Sequence, residues 1–209
     1  MRKWLGALIV LAVLLVVGDV VALRYAQDQV RRRIDANVAD AHATVHISGF
    51  PFLGKLAVAG TIGKITAHVD HASQGDVTFD AVDLTVTDVK LDRSQLFKDR
   101  RVQVQGIQSG TVKADMTQAD FSRLLGGLPV TLGDGVVQVR VGQAMVDAHV
   151  TVAANQLHVT GAGLATTIPI PKLSVLPCVA TVAAIPGHLV ASCTFHEVPA
   201  ALVQAAAVA

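Results

Sequence analysis

From Thr44 onward, apolar and polar residues alternate with a period of two. Val82, Leu84 and Val86 alternate with Asp83, Thr85 and Thr87, and Val102 and Val104 with Arg101, Gln103 and Gln105. Val137, Val139 and Val141 do the same against Gln138, Arg140 and Gly142. The longest such run is Ala144, Val146, Ala148, Val150 and Val152. Each run predicts a strand with one apolar and one wet face, as in an antiparallel sheet. The phase slips between Phe79 and Val82 and again between Val86 and Val89, which predicts bulges or turns that bend the sheet. Ahead of the strands, residues 24–41 read as an amphipathic helix with Ala26, Val30, Ile34 and Val38 on one face. A short helix is expected at 118–125. Thr117 and Asp120 resemble its capping box, Phe121, Leu124 and Leu125 form its apolar face, and Gly126 ends it. Pro199 is suited to the first turn of a C-terminal helix through Ala200, Leu202 and Val203. The pattern predicts an α+β fold with a meandering sheet and no repeated βαβ units.

The N-terminus departs from all of this. Arg2 and Lys3 precede an uninterrupted apolar run from Leu5 to Val17, a charged region followed by an apolar core of secretory length. Val16-Val17-Gly18 and Val20-Val21-Ala22 offer small residues for cleavage. The stretch from Trp4 to Leu23 contains only Asp19 as a charge and is also long enough to span a bilayer. Residues 1–22 are therefore either a signal peptide or a retained N-terminal anchor, and residues 23–209 form one domain. Both alternatives place the body of the chain outside the cytoplasm, at the extracytoplasmic face of the inner membrane.

Composition sharpens the picture. The 209 residues are 52% hydrophobic and 16% charged, against about 25% charged in an ordinary domain. Disorder is excluded, and either extensive burial or lipid contact is implied. Aromatics make up only 4%, so Val, Ala and Leu carry the apolar content. Removing residues 1–22 takes away Arg2, Lys3 and Asp19 and leaves 15 basic and 15 acidic residues. A neutral body argues against general nucleic-acid binding.

Cys178 and Cys193 flank the turn signal Ile185-Pro186-Gly187. A hairpin centred near 185 and 186 places them opposite each other, close enough for a disulfide in an oxidising compartment. Two buried free thiols are the alternative. Signatures of catalysis are missing: there is no Gly-x-Ser-x-Gly, no phosphate loop and no His-Glu-x-x-His. In His68-Val69-Asp70-His71, the first His and the Asp share a strand face while His71 points away, so no metal site is expected. Asp80, Asp83 and Asp88 could be proposed as glycosidase carboxylates, but Asp83 belongs to a regular wet face. Arg31-Arg32-Arg33, and Lys98-Asp99-Arg100-Arg101 beside Leu96-Phe97, read either as anionic-headgroup contacts or as solvated charge.

One resemblance runs through these elements in order. Gly49-Phe50-Pro51-Phe52-Leu53-Gly54-Lys55-Leu56 is followed by Gly60-Thr61-Ile62-Gly63-Lys64-Ile65 and then by Val77-Thr78-Phe79-Asp80-Ala81-Val82. Gly110-Thr111-Val112-Lys113-Ala114, Phe121-Ser122-Arg123-Leu124-Leu125, Leu176-Pro177-Cys178 and Ile185-Pro186-Gly187 complete the series. Together they resemble the LmeA-like lipid-binding proteins of actinobacterial, notably mycobacterial, cell envelopes. The resemblance implies a periplasmic, non-enzymatic protein that binds phospholipids, including phosphatidylinositol-type lipids. It also implies support for the assembly of mannosylated envelope glycolipids, with the enzymes of that assembly as partners and no cofactor or metal. The implied fold is a strongly curved antiparallel sheet packed around the N-terminal helix and enclosing an apolar groove. The candidate lipid contacts are Phe50, Phe52, Leu53, Leu96 and Phe97, with Arg31, Arg100 and Arg101 at the rim. A structural envelope scaffold without bound lipid is the alternative.

Overall fold

The computed structural model describes residues 16–29, 31–32, 42–74, 77–98, 103–153, 156–161, 163–169 and 178–198. Helix α1 covers residues 16–29 and continues at 31–32. Its more buried side is Asp19, Ala22, Leu23, Ala26 and Gln27, the spacing of a single helical stripe. Helix therefore begins well before residue 24. The expected face positions Val30, Ile34 and Val38, and the C-terminal helix at 199–203, lie outside the described residues.

After α1 come β1 (His42–Ser48), α2 (Phe52–Ala59), β2 (Thr61–Gln74), β3 (Val77–Leu91), α3 (Arg93–Lys98), β4 (Val104–Gly106) and β5 (Ser109–Thr117). Helix α4 (Gln118–Leu124) then leads to β6 (Val130–Leu132), β7 (Val137–Val141), β8 (Ala144–Ala153), β9 (Gln156–Gly161) and β10 (Leu164–Pro169), and β11 (Thr181–Ile185) and β12 (His188–Phe195) are the last elements among the described residues. All the strand pairs are antiparallel. The strands form two sheets where one meandering sheet was expected. A seven-stranded sheet runs β1-β2-β3-β5-β12-β11 with β4 beside β3, and a five-stranded sheet runs β10-β9-β8-β7-β6. The chain leaves the larger sheet at Thr117, builds the smaller one, and returns so that His188 pairs with Thr117. The smaller sheet is thus a flap inserted between β5 and β11, which re-enters the larger sheet at Thr181, opposite Ser192.

Both predicted phase slips are present in the long β2–β3 hairpin, in a different form from one-sided bulges. The register stays constant from Thr61↔Lys90 to Gln74↔Val77, while the positions at 63/88 and 71/80 drop out of the ladder. Asp88 and His71 take φ values of 48° and 53° at those two places. A matched break on both strands reverses which residues face inward without shifting the register.

Helix α4 forms as its sequence predicts. The Thr117 hydroxyl accepts from the Asp120 N–H at 3.2 Å and donates to the Asp120 carboxylate at 2.6 Å. Phe121 is fully buried between the sheets, among Phe79, Met116, Val139 and Val159. A second buried cluster joins Val86, Val89, Leu91, Val112 and Phe195 on the larger sheet. Gly110 stands directly opposite Phe195, and a side chain there would overlap the aromatic ring.

Cys178 and Cys193 form a disulfide with Cα atoms 5.8 Å apart. The turn centre lies one residue later than expected, which shifts the pairing by two residues. Ile185 pairs with His188 around a Pro186-Gly187 turn, so Cys193 lies level with position 180 and Cys178 sits two residues further along. The bridge therefore ties the segment leading into β11 to β12, and is not a directly opposed cross-strand pair. Closing a loop of this size stabilises a fold by about 3 kcal/mol on the chain-entropy model.

Candidate functional site

Between the two sheets lies a cavity of about 50 Å³ with no polar surface in its wall. One side is the larger sheet: Phe79, Ala114, Met116, Val182, Leu189 and Ala191. The other is Val152, Leu157 and Ile168 of the smaller sheet, with Leu124 of α4 at one end. Alanines at 114, 180 and 191 keep this wall shallow, because a methyl group at an inward strand position leaves the space that Leu or Ile would fill.

The two sheets are tied at one end. Gly135 N–H donates to the Ala184 carbonyl at 2.9 Å and Gly187 N–H to the Leu132 carbonyl at 3.1 Å. The Gln118 side-chain oxygen accepts from Leu132 N–H at 3.0 Å. Among the described residues, no such bond joins β8, β9 or β10 to the larger sheet. Only side-chain packing holds the sheets together there, and apolar packing is non-directional and re-forms around another apolar body. The arrangement can bury an acyl chain if the flap parts at its untied end.

A second feature lies where α1 meets α2. Asp19, the lone charge of the N-terminal apolar stretch, is 5% exposed. Its carboxylate accepts from the backbone N–H groups of Phe52, at 2.9 Å, and of Leu53. Pro51, the N-cap residue of α2, supplies no side-chain cap, so Asp19 does this from another helix. At the opposite end of α2, Gly60 takes φ 65° and its N–H bonds back to the Leu56 carbonyl. Arg93 donates to the Val58 carbonyl there at 2.6 Å. Helix α2 was not expected from the sequence, and both its ends are held by distant residues. Asp19→Ala leaves the buried Phe52 N–H and the part-buried Leu53 N–H without their partner, which costs about 1–3 kcal/mol. The expected result is a lower thermal midpoint with hydrogen exchange accelerated most at the α2 amides; unchanged exchange there would contradict the latch.

Beside the C-terminal end of α2 is an open cleft of about 770 Å³, lined in part by Lys90, Arg93 and Lys98. The one carboxylate among its described lining residues is Asp92. Asp92 accepts from the Ser94 hydroxyl at 2.6 Å, the Ser94 N–H at 2.8 Å and the Gln95 N–H at 3.2 Å. The Ser94 hydroxyl bond first, then that from Gln95, holds its carboxyl below the usual range. Among the described residues, Lys90 and Lys98 have no ion-pair partner.

Of the sequence-derived lipid contacts, Phe50, Phe52, Leu53 and Arg31 are among the residues whose side chains are described. Phe50 and Leu53 are exposed at the α2 N-terminus, whereas Phe52 is buried beneath it. Arg31 is exposed near the end of α1, and Leu96 and Phe97 belong to the backbone of α3. Arg100, Arg101 and the side chains of Leu96 and Phe97 lie outside the described residues. The cavity wall was missed because alternation marks an inward residue without saying what it faces.

On the outer face, His68 sits between two carboxylates, with Nδ1 2.6 Å from Asp83 and Nε2 3.0 Å from Asp70. The Asp83 hydrogen bond raises its pKa above the ordinary 6.5, against a smaller opposing effect of burial. His68 is 44% exposed, so solvent screens this pair. Because the folded pKa is raised, its stabilising contribution is complete below pH 6.5 and fades as pH climbs through the folded value. An NMR titration should place His68 above 6.5 and return it toward that value in Asp83→Asn; an unchanged midpoint would contradict the pairing. Among the described residues, no group of three or more His, Cys, Asp or Glu side chains is arranged to hold a metal ion.

A family model described as LmeA-like phospholipid-binding matches residues 17–185. No curated protein and no solved structure matches the chain.

Proposed function

The chain belongs to the LmeA-like phospholipid-binding family, and on that footing we propose that it holds phospholipid acyl chains between its two sheets and carries them as a non-enzymatic lipid-transfer protein. The observation that carries this reading is the wholly apolar wall of the cavity between sheets tied at one end. Each methylene that moves from water into such a space contributes about 0.8 kcal/mol. The cavity as it stands has room for only a small part of a chain, so loading parts the flap at β8–β10 and unloading lets it close.

The place of work is the extracytoplasmic face of the inner membrane, reached through the N-terminal apolar segment. Retention of that segment is favoured over cleavage, because Asp19 within it caps α2. Delivery of phospholipid to envelope glycolipid assembly, with phosphatidylinositol-type lipids among the cargo, follows the resemblance noted above.

A phospholipid carrying a photoreactive group at its acyl terminus tests the reading. Irradiation should place adducts on peptides containing Leu157, Ile168 or Val182. Adducts confined to the outer polar face, or none at all, would remove the cavity from the account.

A further inference from the structure

We propose that the outward side of α1 and α2, with the basic cleft at the end of α2, is a docking surface for an anionic lipid bilayer. On α1 the outward residues are Val16, Val17, Val20 and Val21, 40–61% exposed, and they continue the apolar run that starts at Leu5. After Val21 the same side turns to Arg24, Tyr25 and Asp28. Val-rich surface giving way to Arg and Tyr is the change of chemistry expected where a helix leaves hydrocarbon for the headgroup region. No helix among the described residues is by itself long and apolar enough to cross a membrane.

Asp19 fixes the level of α2 relative to that boundary. It belongs to the apolar part of α1, between lipid-facing valines, and its carboxylate is satisfied by the first amides of α2. Helix α2 thus starts where α1 meets the interface. Its inward residues are Phe52 and Leu56, yet apart from Lys55 its outward side is also apolar: Leu53 is 41% exposed and Val58 77%, with Phe50 at 67% just ahead. A helix apolar on both sides needs a second apolar partner beyond its own core. Eight residues span about 12 Å, so one helix links the valine face of α1 to the cleft at its far end.

The cleft names the partner. Lys90, Arg93 and Lys98 line it, and the one carboxylate among its described lining residues, Asp92, accepts from Ser94 and Gln95. Cations beside exposed apolar side chains match a surface of phosphate headgroups over acyl chains. A second copy of this chain would bring the same cations against themselves. The surface is separate from the cavity between the sheets, and an empty cavity leaves it standing.

The test uses the full chain in phosphatidylcholine vesicles with or without phosphatidylglycerol. Both native cysteines are in the disulfide, so Val58→Cys and, as control, Met145→Cys on β8 take a single fluorophore. Quenching by nitroxide-bearing acyl chains should be strong at 58 in anionic vesicles and absent at 145. Lys90→Glu combined with Lys98→Glu should weaken it about tenfold or more, and added salt should do the same. A label at 58 as accessible to water as that at 145 would overturn the proposal. So would quenching indifferent to both lipid charge and charge reversal, or an excimer between two labelled copies in place of quenching.

Discussion

Ala191→Phe is expected to lower phospholipid affinity on the order of 10²-fold, since filling space for about four methylenes forgoes about 3 kcal/mol of apolar burial. Ala191 lies on β12, in the cavity wall, paired with Val182 of β11. It is only part-buried, and no backbone bond among the described residues ties β8–β10 to the larger sheet, so the ring has room to enter by displacing the flap. The cost to the fold is that of mild overpacking, about 1–3 kcal/mol. Val190→Phe is the control: the same ring on the same strand, on the outer face beside Asp115 and Ala183. A titration with a fluorescent phospholipid should separate the two variants. Equal affinities would show that acyl chains bind elsewhere.

The second large effect concerns stability. Phe121→Ala is expected to destabilise the fold by about 3–5 kcal/mol, a large share of the 5–15 kcal/mol that a domain of this kind possesses. Phe121 is fully buried, on the helix where the chain passes from one sheet to the other. Its ring packs in the cluster shared by Phe79 and Met116 of the larger sheet and Val139 and Val159 of the smaller. Truncation therefore loosens the joint of the flap as well as emptying a core site. A urea melt should show a fall in midpoint of that size; a change below about 1 kcal/mol would mean the sheets are joined mainly elsewhere.

Strands, the break points of β3 and the cap of α4 were legible in the sequence because each is a local pattern. Val82, Leu84 and Val86 alternate, and Thr117 reaches Asp120 three residues away. The partition into two sheets was not legible. Val139 and Val86 obey the same alternation, yet belong to different sheets, because period two identifies an inward face and says nothing of its partner. The disulfide was anticipated as a pair but with the wrong register, since a turn signal at 185–187 leaves a one-residue choice of centre.

Helix α2 shows the remaining limit. Pro51 and Gly54 argue against a helix by propensity, and Phe52–Ala59 has too few turns to stand alone. It forms because Asp19 holds one end and Arg93 the other, from 33 and 35 residues away. The one available signal was the solitary charge in the N-terminal apolar stretch. A carboxylate in that setting needs donors, and α2 provides them.

The central claim is that this protein carries phospholipid between its sheets. Native mass spectrometry of the full chain, purified with no lipid added and followed by organic extraction, tests it most directly. The account predicts co-purifying phospholipid in near-stoichiometric amount from the wild type and little from Ala191→Phe. A folded wild-type protein that emerges empty and takes up no added anionic phospholipid would contradict it.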